Sequence, residues 1–271
     1  MMSEAVMSEA VTGDASGALA FARYPSLAGR TVVVTGGASG LGEEFVRQFA
    51  AQGSRVGFID IDAARGEALA TELGGLGGDV LFRGCDVRDV GELQSVISGL
   101  AEALGPVDVL VNNAANDRRH TIDDLDPDYW DDRMAVNLRH QFFASRLVAP
   151  MMRATGRGSI INLGSISAHI DLVELVGYIT AKAGIEGMTR AMARELGPDG
   201  IRVNCVIPGW VMTERQLKQE VTPEAEAHIE QSQCLPDRVY PADVARMVLW
   251  LAADDSSMCT AQNWVVDGGW L

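Results

Sequence analysis

The chain has 271 residues, and α/β units of roughly 200–250 residues commonly fold as one domain, so a single domain with a short extension is expected. Lysine and arginine number 22 against 37 aspartates and glutamates, a net charge of −15, and that field repels phosphate backbones and anionic bilayer surfaces, which argues against nucleic-acid and membrane partners. Hydrophobic residues at 47% with 29 glycines exclude a disordered or fibrous chain and suit buried parallel strands joined by tight turns.

Cys85, Cys205, Cys234 and Cys259 are scattered, with no C-x2-C pair, so buried thiols are expected rather than a zinc site or a disulfide framework. No stretch approaches the ~18 uninterrupted apolar residues of a bilayer span. The first basic residue is Arg23, too late for the charged start of a secretory signal, and a cytoplasmic location follows as the expectation. Residues 2–6, MSEAV, repeat at once as residues 7–11, and small residues follow as far as position 22. Residues 1–23 are read as a mobile tail and 24–271 as the domain.

In chain order, the β-branched run TVVVT at 31–35 stops at a glycine cluster, and residues 43–52 follow with helical periodicity until Gly53 offers a stop. Apolar strands are then expected at 55–59, 80–85, 107–111, 159–163, 202–207 and 263–266, separated by helix-length segments that include a long helix over 131–151. Seven strands with helical crossovers specify a single Rossmann-type α/β domain, a doubly wound, mainly parallel sheet with helices on both faces. Ligands of such sheets sit beyond the carboxyl ends of the strands.

The first strand end reads TGGASGLG, with Gly36, Gly40 and Gly42 where the chain must turn, approach a pyrophosphate and pack a helix on a strand. A helix starting near Leu41 would aim its free N–H groups at the phosphates, with Ser39 adding a hydroxyl. Glycine turns also occur without ligands, so the second strand carries weight. It ends in Asp60, 18 residues beyond Gly42, where a carboxylate accepts from an adenosine ribose and repels a 2′-phosphate, which favours NAD over NADP. The neighbouring Arg65 works against that preference, and the acid has an alternative use as a helix cap. Asp86 and Val87 end the third strand and are placed to hold an adenine; Asn112 and Asn113 end the fourth, where their amides can brace the sheet and line the cofactor.

Tyr178 and Lys182 are four residues apart, one turn of a helix, on one face. That spacing arises by chance on many helices, and Ser165 after the fifth strand is what places a third polar group at the cofactor edge of the sheet.

Taken with TGGASGLG at 35–42, Asp60, Asp86 and Val87, NNAA at 112–115, Asn137, Ser165, YITAK at 178–182, PGW at 208–210 and Thr213, the chain resembles the short-chain dehydrogenase/reductase family from about Leu27 onward. The resemblance implies Tyr178 as general acid/base, Ser165 as the group orienting the substrate oxygen, Lys182 as ligand of the nicotinamide ribose and Asn137 as holder of a water beside Lys182. It also implies a cofactor site completed by Pro208, Gly209, Val211 and Thr213, no metal, and a homo-oligomer, usually a tetramer. The apolar strand around Trp264, with Trp270 and Leu271, and the 131–151 helix would supply the interfaces. A free phenol titrates near 10, and the Lys182 ammonium together with a cationic nicotinamide is expected to acidify it.

Substrate choice is expected in three loops, 116–125, 167–177 and 210–238, with Asn116, His120, Ser167, His169, Glu174 and Trp210 as candidate contacts. Their polarity suits a polyol better than an acyl chain or steroid, although charges in such loops also simply face water. YPSL at 24–27, the 111–120 stretch, VNLRH at 136–140, GSIS at 164–167, TAKAGIEGMTRAMARELGPD at 180–199 and QCL at 233–235 resemble bacterial aldose 1-dehydrogenases within the family. Ala115 departs from the family pattern, and Arg118 and Trp210 depart from that of the aldose 1-dehydrogenases. The expectation is oxidation of a cyclic aldose, a pentose such as D-xylose or a similar sugar, at C1 by NAD to give an aldonolactone. Reduction of a ketone or 3-oxoacyl substrate with NAD(P)H stands as the alternative, and an inactive nucleotide-sensing scaffold as a third reading that the intact Ser165, Tyr178 and Lys182 disfavour.

Overall fold

The computed structural model describes residues 21–271. Seven strands, β1 Thr31–Thr35, β2 Arg55–Asp60, β3 Val80–Gly84, β4 Val109–Asn112, β5 Gly158–Leu163, β6 Ile201–Pro208 and β7 Asn263–Val266, form one sheet in the order β3-β2-β1-β4-β5-β6-β7. Every adjacent pair is parallel, so "mainly parallel" sharpens to wholly parallel. The order reverses between β1 and β4, which opens the crevice at their carboxyl ends.

The helices are α1 Gly40–Ala51, α2 Ala63–Gly75, α3 Val90–Leu104, α4 Pro127–Met134, α5 His140–Thr155, α6 Val176–Leu196, α7 Glu214–Gln219, α8 Pro223–Ser232 and α9 Pro241–Ala252. Because successive side chains of a strand point to opposite faces, Val32 and Val34 of β1 pack with Phe45, Phe49, Val248 and Leu249 from α1 and α9. Val33 packs on the other side with Leu93, Ile97, Val148 and Met192 from α3, α5 and α6. Both faces of the sheet are therefore dry, and β1 is buried along its whole length, the reason its sequence is an unbroken β-branched run rather than an alternation.

Three local expectations are adjusted. The fourth strand begins two residues late because Asp108 occupies its foot, its backbone N–H donating to Thr31 O at 2.9 Å and its carboxylate accepting from Thr31 N at 3.0 Å. The expected 131–151 helix runs longer, through α4 and α5, and is interrupted by a π-helical turn over Ala135–Arg139 that holds Asn137. Such one-turn bulges recur at functional sites. Cys85 and Cys205 are buried as expected, but Cys234 is exposed and Cys259 half-exposed.

The expected tail and its MSEAV repeat lie outside the described residues, save for positions 21–23. There Phe21 lies under the Arg246 guanidinium, 3.6 Å from ring centre to Cζ, and Ala22 O accepts from Gln52 Nε2 at 3.2 Å. No helix among the described residues is long and apolar enough to cross a membrane.

Candidate active site

At the carboxyl ends of the strands lies a cleft of about 560 Å³, lined from the β1 and β2 ends across to α7 and the segment after β7. Its first wall is the turn between β1 and α1. Gly36 and Gly40 have φ of +66° and +56°, the left-handed region that glycine enters freely. Gly42 answers a different demand, since a Cβ there would lie 1.8 Å from Gly36 O; only glycine lets α1 close against the turn. Asn113 locks the arrangement, its Nδ2 donating to Thr35 O and Gly36 O, each at 2.9 Å.

Helices α2, α3, α4, α7 and α8 each begin with a side chain that accepts a backbone N–H, whereas Ser39 at the start of α1 makes no such bond. The leading N–H groups of α1 therefore keep their free donors and their positive dipole end for an anion. A cradle that a single Cβ would fill, with an uncapped helix above it, fits a dinucleotide pyrophosphate.

Around the cradle, Gly36, Ser39, Leu41, Asp60, Asp86, Val87, Asn113, Pro208, Gly209, Val211 and Thr213 all line the cleft, while Gly40 and Gly42 shape it from behind. Asp60 is held by Ala38 N at 3.0 Å and Asp62 N at 3.0 Å. Asp86 is less free than expected: Arg88 grips it at 2.6 Å, and that contact holds its carboxyl below the usual carboxylate range. Gly209 is another close approach, with Asp267 Cα 2.7 Å from where its Cβ would sit.

Deeper in, Ser165 follows β5, Tyr178 and Lys182 face it from α6, and all three line the cleft. Lys182 is 2% exposed; its Nζ donates to Leu163 O at 2.7 Å and stands 5.3 Å from the centre of the Tyr178 ring. Burial lowers its pKa from 10.5 to about 8. Among the protein's own groups, the balance at the Tyr178 phenol runs against acidification. Burial, then the charge of Asp117, raises its pKa, while the hydrogen bond from Ser165 and the charge of Arg215 pull the other way without prevailing. Desolvating a phenolate costs more here than these neighbours return.

Asn137, fully buried in the π-helical turn, uses its side chain to fix the loop after β4. Its Oδ1 accepts from Asn116 N at 2.8 Å, and its Nδ2 donates to Asn116 O and Arg133 O, both at 3.1 Å.

Of the expected substrate contacts, Asn116, Ser167 and Trp210 line the cleft, and His120, His169 and Glu174 do not. His120 is buried, its Nε2 accepting from Gly177 N at 3.0 Å and its Nδ1 standing 3.0 Å from Arg118 O. It braces the start of the helix that carries Tyr178. His169 turns outward to Glu186 at 2.7 Å. Glu174, at φ +62°, is exposed and receives His120 N on its carbonyl at 2.8 Å.

The sequence reading missed Arg133, Arg215, Gln216, His228 and Trp270 as cleft residues, while Asp117 and Arg119, expected only as members of the polar cluster after β4, line the cleft with them. Asp117 pairs with Arg215 and also accepts from Gln216 Nε2 at 3.5 Å; Gln216 Oε1 accepts from Trp210 Nε1 at 2.9 Å. This chain of contacts joins the loop after β4 to α7. Asp117 and Arg119 fall within a loop flagged by its polarity, but only long-range folding shows which of its side chains turn inward.

A family model described as enoyl-(acyl carrier protein) reductase matches residues 36–271. The chain belongs to the short-chain dehydrogenase/reductase family. As a member it is an oxidoreductase that uses a nicotinamide cofactor. It is 51% identical to a D-xylose 1-dehydrogenase of Caulobacter vibrioides, over 91% of this chain and 98% of that protein. It is 42% identical to a probable galactose dehydrogenase of Rhizobium meliloti, over 91% and 97%. Among solved structures, a 3-oxoacyl-[acyl-carrier protein] reductase with bound NAD from Brucella melitensis superposes with a TM-score of 0.83 at 32% identity, covering 92% of this chain and 94% of that one.

Proposed function

We propose that the protein oxidises a cyclic aldose at its anomeric carbon with NAD, giving the aldonolactone, and that residues 24–271 form the one domain that does so. The observation that carries this reading is the polar end of the cleft. Asn116, Asp117, Arg119 and Gln216 line the same cavity as Ser165 and Tyr178, which puts donors and acceptors of the kind a polyol needs in the cleft of the reacting centre. The Caulobacter relative, a D-xylose 1-dehydrogenase, supports a pentose.

When bound, the oxidised nicotinamide supplies the hydride acceptor and a positive charge. Tyr178 takes the proton of the anomeric hydroxyl at its Oη, and Ser165 holds the substrate oxygen by hydrogen bonding. Lys182, fixed by Leu163 O, would present its remaining N–H donors to the ribose and keeps a cation beside the phenol ring. Asn137 keeps the 116 loop in register, and with it the polar wall.

One observation supports NAD over NADP: Asp60 puts a carboxylate at the β2 end of the cleft, where it would repel a 2′-phosphate. A homo-oligomer, read as a tetramer, is supported by exposed apolar side chains on α5 and β7, Phe142 and Val265, and a cytoplasmic location by the free cysteines.

A panel of pentoses and hexoses with NAD and NADP, followed by NAD(P)H absorbance with identification of the lactone, tests the reading. Turnover of an aldose with NAD supports it. No aldose turnover together with rapid reduction of a ketone or 3-oxoacyl thioester overturns it in favour of the alternative.

A further inference from the structure

Residues 267–271 form a turn built with unusual care for a segment so far from the catalytic helix. Asp267 is 6% exposed, and its carboxylate folds the chain back on itself, Oδ1 accepting from Gly269 N at 2.7 Å and Oδ2 from Leu271 N at 2.8 Å. Gly268 and Gly269 both hold positive φ, +71° and +85°. Space is also absent around them: a Cβ on Gly268 would meet Gln233 Nε2 at 2.1 Å, and one on Gly269 would meet Cys234 Cβ at 2.8 Å. Gly268 O accepts from Cys234 N at 3.0 Å and Leu235 N at 2.9 Å. The turn is thus pinned to the segment that follows α8, and few alternative backbones are open to it.

What this turn delivers to the cleft is one side chain, Trp270. Trp270 lines the cavity with Ser165, Ser167 and Trp210, its ring stands T-shaped to that of His228 of α8 with centres 5.2 Å apart and planes at 80°, and it packs against the apolar cluster of Ile166, Ile185, Cys205 and Ile207. A ring sugar has two unlike parts, a face of C–H bonds and a rim of hydroxyls. The electron-rich face of an indole attracts positively polarised C–H groups, while the rim needs the polar side chains. An aromatic plane held from two elements makes that contact with little ordering cost.

We propose that Trp270, presented by the Asp267 turn and steadied by His228, is the platform on which the sugar ring stacks, and that it sets the preference for a cyclic substrate. The proposal rests on the aldose reading above.

The test compares wild type with Trp270→Ala, Trp270→Phe and Asp267→Asn, using the best aldose of the panel and NAD. Trp270→Ala is expected to raise the aldose KM roughly tenfold, the value of one aromatic contact, with kcat at saturating sugar and the NAD KM within about threefold of wild type. Trp270→Phe keeps a ring face and retains most of the affinity, and Asp267→Asn falls between the two. Aldose added to the NADH-bound wild type, an abortive complex that does not turn over, changes tryptophan fluorescence, and Trp270→Phe removes most of that change, a readout that survives if the alanine variant fails to fold. An unchanged aldose KM in Trp270→Ala, or a fluorescence change that persists in full in Trp270→Phe, overturns the proposal while leaving the aldose reading intact. A wild type that oxidises no aldose overturns both.

Discussion

The Lys182 ammonium stands 5.3 Å from the centre of the Tyr178 ring, yet its one hydrogen bond among the described residues goes to Leu163 O at 2.7 Å. It therefore reaches the phenol through space rather than through a bond, and it is fixed to the end of β5 beside Ser165. A buried cation with one of three donors satisfied keeps two for the proposed ribose, and it costs stability until they are met.

That cost yields the first prediction. Burial lowers the Lys182 pKa from 10.5 to about 8, a penalty on the order of 3 kcal/mol for charging it in the fold. Below about pH 8 the group is charged in both folded and unfolded chains and the full penalty applies. As pH rises from about 8 towards 10.5 the folded chain loses the proton first, and the penalty fades. Lys182→Met should be more stable than wild type by about 1–3 kcal/mol at pH 7, because Leu163 O loses its donor and returns part of the gain, with the gap narrowing above pH 8. Activity should be lost. Urea unfolding from pH 6 to 10 measures both trends, and a variant less stable than wild type at pH 7 would contradict the argument.

The second prediction concerns Asp117, whose negative charge raises the Tyr178 pKa while its partner Arg215 lowers it. Asp117→Asn removes the first influence and frees the second, so both changes favour phenolate. Since oxidation needs Tyr178 as the phenolate to accept the substrate's proton, the rising limb of the kcat/KM profile should move to lower pH. The same variant also loses the Arg215 tie across the cleft, which should appear separately as a raised substrate KM. A limb that stays put or moves to higher pH rules out Asp117 as a tuning charge.

The core strands were legible because a sheet covered on both faces needs unbroken apolar runs, and TVVVT at 31–35 or the run of β6 has no other use. The cradle was legible because Gly36 and Gly42 leave no room for a Cβ and Gly40 takes a positive φ that glycine adopts most readily. Other features depend on contacts that no local pattern encodes. The π-helical turn at Asn137 follows from side-chain bonds to Asn116 and Arg133, and periodicity registers only a helix. His120 looked like a ligand because it is polar and near the site, whereas its ring is consumed in bracing α6. Trp270 was visible as an apolar residue suited to an interface; its place in the cleft depends on a turn clamped by residues 233–235.

A third prediction uses two glycines as opposites. Gly42→Ala would place a methyl 1.8 Å from Gly36 O, backbone that has nowhere to go, so the α1 start must shift and dinucleotide binding should fall by tenfold or more. Gly187 lies within α6 with nothing within 4 Å of its missing Cβ. Gly187→Ala should therefore stabilise the fold by about 0.5–1 kcal/mol through helix propensity. Fluorescence titration with NADH and thermal unfolding separate the two, and equal NADH affinity in Gly42→Ala and wild type would count against the cradle.

The last prediction tests how cofactor choice is held. Asp60 lines the β2 end of the cleft, where its charge would repel a 2′-phosphate. Its oxygens accept from Ala38 N and Asp62 N, so Asp60→Asn keeps an acceptor for one of these while deleting the charge. Arg65 is half-exposed, and its pairs with Asp62 at 3.7 Å and Glu214 at 3.6 Å are surface contacts worth well under about 1 kcal/mol. Freed from the repulsion, a 2′-phosphate should recruit Arg65 at little cost, since a guanidinium meets a phosphate with two parallel bonds. The ratio of kcat/KM with NADP to that with NAD should rise roughly tenfold or more in Asp60→Asn. Adding Arg65→Ala should cancel the part of the rise that the guanidinium supplies, because the repulsion is gone in both variants and only the attraction differs. If the ratio rises equally with and without Arg65, repulsion by Asp60 is the whole of the selectivity; if it does not move in either variant, neither residue sets it.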